Sequence, residues 1–230
     1  MLVKRTLMTV GLAVLAGCAD GVRTGPMEHE TKVVELDKSE MTRAEIKMSA
    51  GELRVAGGAS QLMEGDFNYN DPGSKPQVEY HSTGVRSDID VHPSGTVQHG
   101  ESNWNIRFNN SATMDLVVKM GAGEAHLNLG SLNLRSVVFD LGAGELDADL
   151  RGNPKRSYDV RINGGVGQAT IHVPSTVGIS ATATGGIGEV NVRGLEQRNG
   201  RWINPGHENS PVTIRLDVKG GVGQIDLVAE

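Results

Sequence analysis

The sequence predicts an all-β fold built from stacked repeats, a β-solenoid. Three observations predict it: a glycine corner recurring about every 21 residues, alternating apolar residues on both sides of each corner, and a scarcity of aromatic side chains. Of the 230 residues, 31 are glycine and only 3% are aromatic. A wide core between two sheets usually draws on aromatic bulk, so this composition favours a narrow interior with many tight turns.

The chain opens with a segment typical of a bacterial lipoprotein signal. Residues 1–18 read MLVKRTLMTVGLAVLAGC, which gives a basic start, an apolar run too short to span a bilayer, and LAGC ending at Cys18. That ending resembles a lipobox, in which cleavage leaves a lipidated cysteine; an ordinary signal peptide with a chance cysteine is the alternative. We therefore expect a signal peptide over 1–18, a flexible tether over 19–34, and an extracytoplasmic protein lipid-anchored to a bacterial membrane.

The glycine corners define the repeat. They read GAGE, GAGE, GVGQ, GIGE and GVGQ, with a degenerate SAGE at 49–52. Their glycines are Gly121, Gly123, Gly142, Gly144, Gly165, Gly167, Gly186, Gly188, Gly221 and Gly223. Successive corners lie 21, 23, 21 and 35 residues apart, and the last step is lengthened by an insertion at 194–211. Glycine suits such corners because it tolerates positive φ and close backbone approach between repeats.

Two other readings of these features are disfavoured. A dinucleotide-binding loop needs a third glycine and a following helix, whereas a β pattern follows every corner here. The net charge of −6 includes no basic block, which argues against nucleic acid as a partner. We expect an irregular β region over 35–111 and regular repeats over 112–230.

Three stretches resemble the bacterial toast-rack family of envelope proteins: GELRVAGGASQLMEGDFNYNDPGSKPQVEY (51–80), VVKMGAGEAHLNLGSLNLRSVVFDLGAGELDADL (117–150) and GGIGEVNVRGLEQRNGRWINPG (185–206). The resemblance covers about residues 35–228 and implies a single-stranded right-handed β-helix. The C-terminal repeats are also similar to the extracytoplasmic domains of regulators in Gram-positive envelope-stress signalling. The resemblance brings no catalytic residue set, metal or cofactor.

Candidate binding residues lie in the insertion. Trp202, Arg201 and His207 could recognise a protein or a glycan, since aromatic and arginine side chains often anchor interfaces; the alternative is that Trp202 folds back and seals the stack. The corner carboxylates could bind calcium if they stack, but glutamines interrupt their column. Asp149, His172 and Arg193 are expected to share an outward column on successive repeats.

The sequence thus predicts a non-catalytic cell-envelope scaffold or interaction module. Its expected partners are the membrane, through the lipid anchor, and either an envelope protein or another copy of the chain. Two alternatives stay open: a cell-wall or surface glycan-binding lipoprotein, and a polysaccharide-acting β-helix enzyme.

Overall fold

The computed structural model describes residues 24–96, 100–206 and 209–230. Cys18 and the predicted signal peptide lie outside the described residues, as does His207. The described chain is all-β, with thirteen strands and one 3-10 turn at Pro72–Ser74. The strands are β1 (Glu28–Val34), β2 (Met41–Gly57), β3 (Met63–Tyr69), β4 (Pro76–Ser82), β5 (Arg86–Pro93), β6 (Ser102–Phe108), β7 (Thr113–Asn128), β8 (Asn133–Asp149), β9 (Tyr158–Val173), β10 (Gly178–Arg193), β11 (Glu196–Arg198), β12 (Arg201–Ile203) and β13 (Thr213–Ala229).

Six strands of 16 or 17 residues are the predicted repeats, and each runs unbroken through its corner; they are β2, β7, β8, β9, β10 and β13. We call each one a rung, with a first leg before the corner and a second leg after it. The rung bends sharply at the corner. The evidence is that a Cβ placed on Gly185 would lie 3.3 Å from Cγ2 of Val190. In an extended strand those residues would be about 16 Å apart. The two legs therefore enclose a shared interior.

The rungs stack in parallel, but not in chain order. The spatial order is β2-β7-β8-β9-β13-β10, so the last rung of the chain lies between the two that precede it. This differs from the simple succession that the repeat predicts. The inward side chains of β13 are bulky and almost fully buried: Ile214, Leu216, Val218, Ile225 and Leu227.

Apart from the buried Ile179, the inward side chains of β10 are smaller or more exposed than their partners in β13: Ala181, Ala183, Val190 and Val192. An interior rung is covered on both sides. Placing β13 rather than β10 there therefore buries more apolar area, which stabilises the observed order.

The stack begins earlier in the chain than the regular repeats do. In the degenerate corner, Gly51 pairs with Gly123 and Glu52 with Glu124, so β2 is a full rung beside β7. Beyond β2 the sheet forks: the first leg pairs with β5, which pairs with β4, and the second leg pairs with β6, followed by β3 and β1. Strands β5 and β6 thus extend the stack as two separate strands, one beside each leg of β2.

Residues 28–34, predicted as the end of a flexible tether, instead form strand β1. They pair with β3 in antiparallel register from Glu28↔Tyr69 to Val34↔Met63. The segment EHETKVV ends on Val34, which is 6% exposed and belongs to the core. Backbone hydrogen bonds to β3 and the burial of Val34 keep this otherwise polar segment in the sheet.

The core is one continuous interior between the legs, and its filling changes along the stack. Aromatic side chains concentrate at the β1 end, where Phe67 and Trp104 meet edge to face with ring centroids 5.4 Å apart. Trp104 is 2% exposed, so this residue serves packing. Towards the other end the interior is mainly aliphatic, and Phe139, Tyr158 and the partly buried Trp202 are its aromatic members.

The glycines of the corners are required by contact between rungs. The third corner residue has positive φ in every rung, for example 132° at Gly144. A Cβ on Gly144 would also overlap the carbonyl oxygen of Gly123 in the rung below. The first corner residue makes the same contact, since a Cβ on Gly121 would overlap the carbonyl oxygen of Ser49.

Candidate interaction surfaces

The outer wall of the second legs carries the column of corner residues. In spatial order the column reads Glu52, Glu124, Glu145, Gln168, Gln224 and Glu189. Their side chains pair locally: Arg54 contacts Glu52, and Nε2 of His126 lies 3.9 Å from Glu124. Within the described residues no group of three or more histidine, cysteine or acidic side chains is arranged to hold a metal ion. The geometry therefore gives the calcium hypothesis no support.

The outer wall of the first legs is a network of ion pairs centred on Glu45. Lys119 donates to Glu45 at 2.9 Å and Arg43 at 3.0 Å. The hydrogen bond from Lys119 lowers the pKa of Glu45, burial raises it by less, and Arg43 and Lys47 lower it further, to about 2. The Glu45 side chain is 14% exposed, and its pair with Lys119 joins β2 to β7, whereas Arg43 and Lys47 lie on β2 itself.

A shallow groove runs beside the corners along this wall. It encloses about 990 Å³ and is lined by Lys47, Lys119, His92, Asp140 and Asn163, among others. Lys47 and Lys119 already pair with carboxylates of the wall. The groove is open, its lining also includes the apolar side chains of Met48, Met120 and Leu141, and it brings two cations close together on adjacent rungs.

Asp149, His172 and Arg193 do not form a column on successive rungs. Asp149 pairs in register with His172, but Val228 of β13 lies between His172 and Arg193. The reason is that rung β13 is inserted between β9, which carries His172, and β10, which carries Arg193. Nδ1 of His172 instead lies 2.8 Å from Glu230, which also accepts from Arg151 at 2.7 Å.

The insertion after β10 folds back onto the first leg of that rung. Strands β11 and β12 form a hairpin around Asn199, which has a positive φ of 50°, and Trp202 pairs in register with Ala181. Trp202 is partly buried and packs against the core. Arg201 is exposed and donates to Oγ of Ser180 at 2.6 Å. The structure thus gives Trp202 a packing contact, while Arg201 remains at the surface.

Asn204 fixes the insertion in place. Its side chain is 4% exposed, accepts the backbone N–H of Ile179 at 2.8 Å, and donates to the carbonyl oxygens of Ser175 and Val177. A buried amide with three partners is fully engaged in structure. An Asn-Pro pair, here Asn204 and Pro205, is a common turn signal, but it does not reveal this role.

The corners change character halfway along the stack. In β2, β7 and β8 the residue before the corner is large and the middle residue is alanine, as in Met120 and Ala122. In β9, β13 and β10 the residue before the corner is glycine, and the middle residues are Val166, Val222 and Ile187, all exposed. The change leaves an apolar slot of about 30 Å³ beneath the last three corners. Such a slot has room for a couple of water molecules, at about 10–15 Å³ each, and not for a substrate.

The second leg of β10 is an open edge of the sheet. Among the described residues, β12 pairs only with Ser180 and Ala181, so Gly186–Arg193 has β13 on one side and no strand on the other. Ile187 is 73% exposed and Val190 is 36% exposed. Sequence reasoning missed this edge, because chain order places β10 between β9 and β13.

No helix among the described residues is long and apolar enough to cross a bilayer. Curated proteins include no match to this chain. A crystal structure of a "putative cell adhesion protein" from Clostridium sporogenes is similar at 29% identity and a TM-score of 0.84, covering 89% of this chain and 100% of that one. A "putative adhesin" from Bacteroides fragilis matches at 12% identity and a TM-score of 0.31, covering 87% and 96% of the two chains.

Residues 23–172 match the family model described as the N-terminal domain of toast_rack, DUF2154. The match spans β1 to all but the last residue of β9, including the degenerate corner and the regular corners of β7, β8 and β9. It covers well over half of the chain, and the chain therefore belongs to the toast-rack family.

Proposed function

We propose that the protein is a non-catalytic, extracytoplasmic interaction module, tethered to a bacterial membrane through Cys18 and acting as a scaffold in the cell envelope. The observation that carries the proposal is the similarity, over 89% of this chain, to a crystal structure described as a "putative cell adhesion protein", at a TM-score of 0.84. The two outer walls of the stack offer an envelope protein broad polar surfaces, and the open edge offers a place for a second copy.

The geometry of the walls supports a binding role. Interior side chains fill the space between the legs, and the slot beneath the last corners is too small for a substrate. The charged residues of the walls pair with one another across neighbouring layers, as Lys119 does with Glu45 and Arg215 with Asp159. Paired charges on a rigid sheet favour recognition of a complementary surface over acid-base chemistry.

We also infer that the rungs wind in a right-handed sense, as a single-stranded β-helix. Connections between parallel strands of one sheet are right-handed in about 98% of cases. The short turns from β7 to β8 and from β8 to β9 join parallel neighbours of one sheet. Two placements depart from a continuous winding: β13 lies between β9 and β10, and β2 lies between the layer of β5 and β6 and rung β7.

The test is site-specific photocrosslinking of the full-length protein in its own cells. The crosslinking residue is placed at Thr170 on the second-leg wall or at Arg161 on the first-leg wall, each with and without Cys18→Ala. We expect one wall to crosslink to a single envelope protein, and the substitution of Cys18 to release the protein from the membrane fraction and remove that crosslink.

Other results would redirect or reject the proposal. Crosslinks to cell-wall or surface glycan alone would favour the glycan-binding alternative, with the groove of Lys47 and Lys119 as its site. Cleavage of an envelope polysaccharide by the purified protein would reject the non-catalytic role. Retention of Cys18→Ala in the membrane fraction would reject the lipid tether.

A further inference from the structure

The open edge on the second leg of β10 has a sequence that complements itself. Residues 188–194 read GEVNVRG, which is symmetric about Asn191 except that Glu189 on one side answers Arg193 on the other. Rungs β9 and β13 carry QATIHV and QIDLVA at the same positions and have no such symmetry. The self-complementary segment therefore occurs on the one rung whose second leg has a free side.

We propose that this edge pairs with the same edge of a second copy, in antiparallel register about a two-fold axis through Asn191. Glu189 of each copy then faces Arg193 of the other, and Val190 faces Val192 of the other. Opposite residues of an antiparallel pair point to the same face of the sheet. The valines thus meet on the core side and the charges meet on the outer wall.

Neighbouring registers fit less well. A shift that opposes Val190 to Asn191 would place the core face of one copy against the outer face of the other. An axis through Val190 keeps the faces but opposes Glu189 to Asn191 and Arg193 to Ile187, which leaves both charges without a partner. The axis through Asn191 is the register that pairs charge with charge and valine with valine.

The edge carries none of the features that usually block such pairing. Natural edges are protected by proline, inward charges or coverage by another element. Strand β4 begins with Pro76, and β1 carries Lys32 and Glu30 as a partly buried pair. In contrast, Gly188–Gly194 contains no proline or lysine, and Val190 and Val192 point to the core side.

The charges of the edge are available for a partner. Glu189 makes no ion pair with any residue that the structure describes. In the proposed dimer, its partner across the edge is Arg193 of the second copy. Arg193 lies 3.9 Å from Asp226, with its side chain 70% exposed. A glycine lies at each end of the paired segment, and Gly188 faces Gly194 of the second copy. No side chain of the second copy therefore meets the corner, where backbone carbonyl oxygens point outward.

The pairing also supplies a cap that the stack lacks. Stacked-repeat proteins need their terminal units covered, since an end rung exposes part of the core. On the first leg of β10, β12 pairs with Ser180 and Ala181, and Trp202 packs against the core. The second leg of β10, with Ile187 and Val190 exposed, has no strand beside it among the described residues, and a second copy covers it.

A cysteine at the axis tests the geometry directly. In the paired edges the two Asn191 Cα atoms would lie about 4.5–5.5 Å apart, within the range of a disulfide. We expect Asn191→Cys in the full-length protein to give a disulfide-linked dimer of twice the chain mass under oxidising conditions. Thr170→Cys is the matched control, since it holds the same position on interior rung β9 and should give none.

Charge reversal tests the register independently. Glu189→Arg should weaken dimer formation on the order of tenfold, because arginine then faces arginine twice. Adding Arg193→Glu restores both pairs with reversed polarity, and the dimer should return. Equal dimer yields from Asn191→Cys and Thr170→Cys, crosslinking of Asn191→Cys to a protein of different mass, or failure of the double reversal to restore the dimer would each overturn the proposal.

The inference does not depend on the lipid tether or on an envelope partner. A dimer formed by a protein that stays unanchored would leave it intact. Loss of the dimer with crosslinks from the walls preserved would reject it without affecting the proposed function.

Discussion

At the corners, contacts with single backbone atoms of the next rung determine whether a residue larger than glycine fits. Each corner glycine faces the backbone of the next rung, and a Cβ on either corner glycine of β9 would overlap a carbonyl oxygen of β8. The residue before the corner in β9, Gly164, differs: the nearest heavy atom to a Cβ there is the carbonyl oxygen of Lys219, at 3.9 Å. Two adjacent glycines of one strand therefore have opposite requirements.

Substitution of these neighbours should separate the two effects. Gly164→Ala should raise the free energy of unfolding by about 0.5–1 kcal/mol, because it restricts the unfolded chain and places a methyl group in open space. Gly165→Ala should lower it by about 3 kcal/mol or more, because the carbonyl oxygen of Gly142 must move. Urea unfolding of both variants measures the difference, and equal effects would contradict the role given to contact between rungs.

At the scale of the element, the sequence predicted what a rung is but not where each rung lies. The corner spacing and the alternation identified the regular rungs. SAGE stood out as a degenerate corner, but the sequence left it in an irregular region over 35–111, and the structure is what makes β2 a full rung. The order of β13 and β10 could not come from the corners, because GIGE and GVGQ fit the same neighbours. The deciding signal was the bulk of the inward residues, Leu216 and Val218 in β13 against their partners Ala181 and Ala183 in β10. The open edge on the second leg of β10 could not be predicted either, because it depends on this order of β13 and β10.

The insertion between β10 and β13 is an element held by one buried side chain. Asn204→Ala removes the acceptor for the N–H of Ile179 and the donor to the carbonyl oxygen of Val177. We expect the free energy of unfolding to fall by about 1–3 kcal/mol, the cost of leaving buried backbone groups unpaired. Hydrogen exchange should speed up at the start of β10 and in β12.

Asn209→Ala is the matched control for Asn204, since Asn209 is exposed in the same insertion. It should leave both the stability and the exchange unchanged. Equal protection in the two variants would show that the hairpin is held by Trp202 rather than by the amide.

At the scale of the whole molecule, carboxylates tie separate parts of the wall together. Glu45 joins β2 to β7, and Asp37 holds the segment before β2 against β4 through hydrogen bonds from Tyr80 and Ser82. Burial raises the pKa of Asp37, but the bonds from Ser39, Tyr80 and Ser82 outweigh it, and the pKa falls to about 2. Both carboxylates thus bind protons less readily in the folded protein than in the unfolded chain.

Stability should therefore depend on pH in the acid range. The contribution of these groups is fully present above the ordinary pKa values of 3.8 for Asp37 and 4.5 for Glu45, and it is lost as pH falls from there towards about 2. Glu45→Gln should flatten that decline, whereas Glu145→Gln, a change at an exposed carboxylate of the other wall, should not. Unfolding midpoints in urea between pH 7 and pH 2.5 test this, and parallel curves for wild type and Glu45→Gln would contradict it.

The inserted position of β13 has a consequence for how the chain reaches its fold during synthesis. Strand β10 emerges first, and 36 residues separate its end at Arg193 from the end of β13 at Ala229. At about 5–20 residues per second, that interval lasts roughly 2–7 s. Throughout it, β9 presents a corner that β10 already fits, although the final neighbour of β9 is β13. Correct folding therefore requires one of two events. Either β10 stays unpaired with β9 until β13 has been synthesised, or β10 pairs with β9 first and is then displaced by β13.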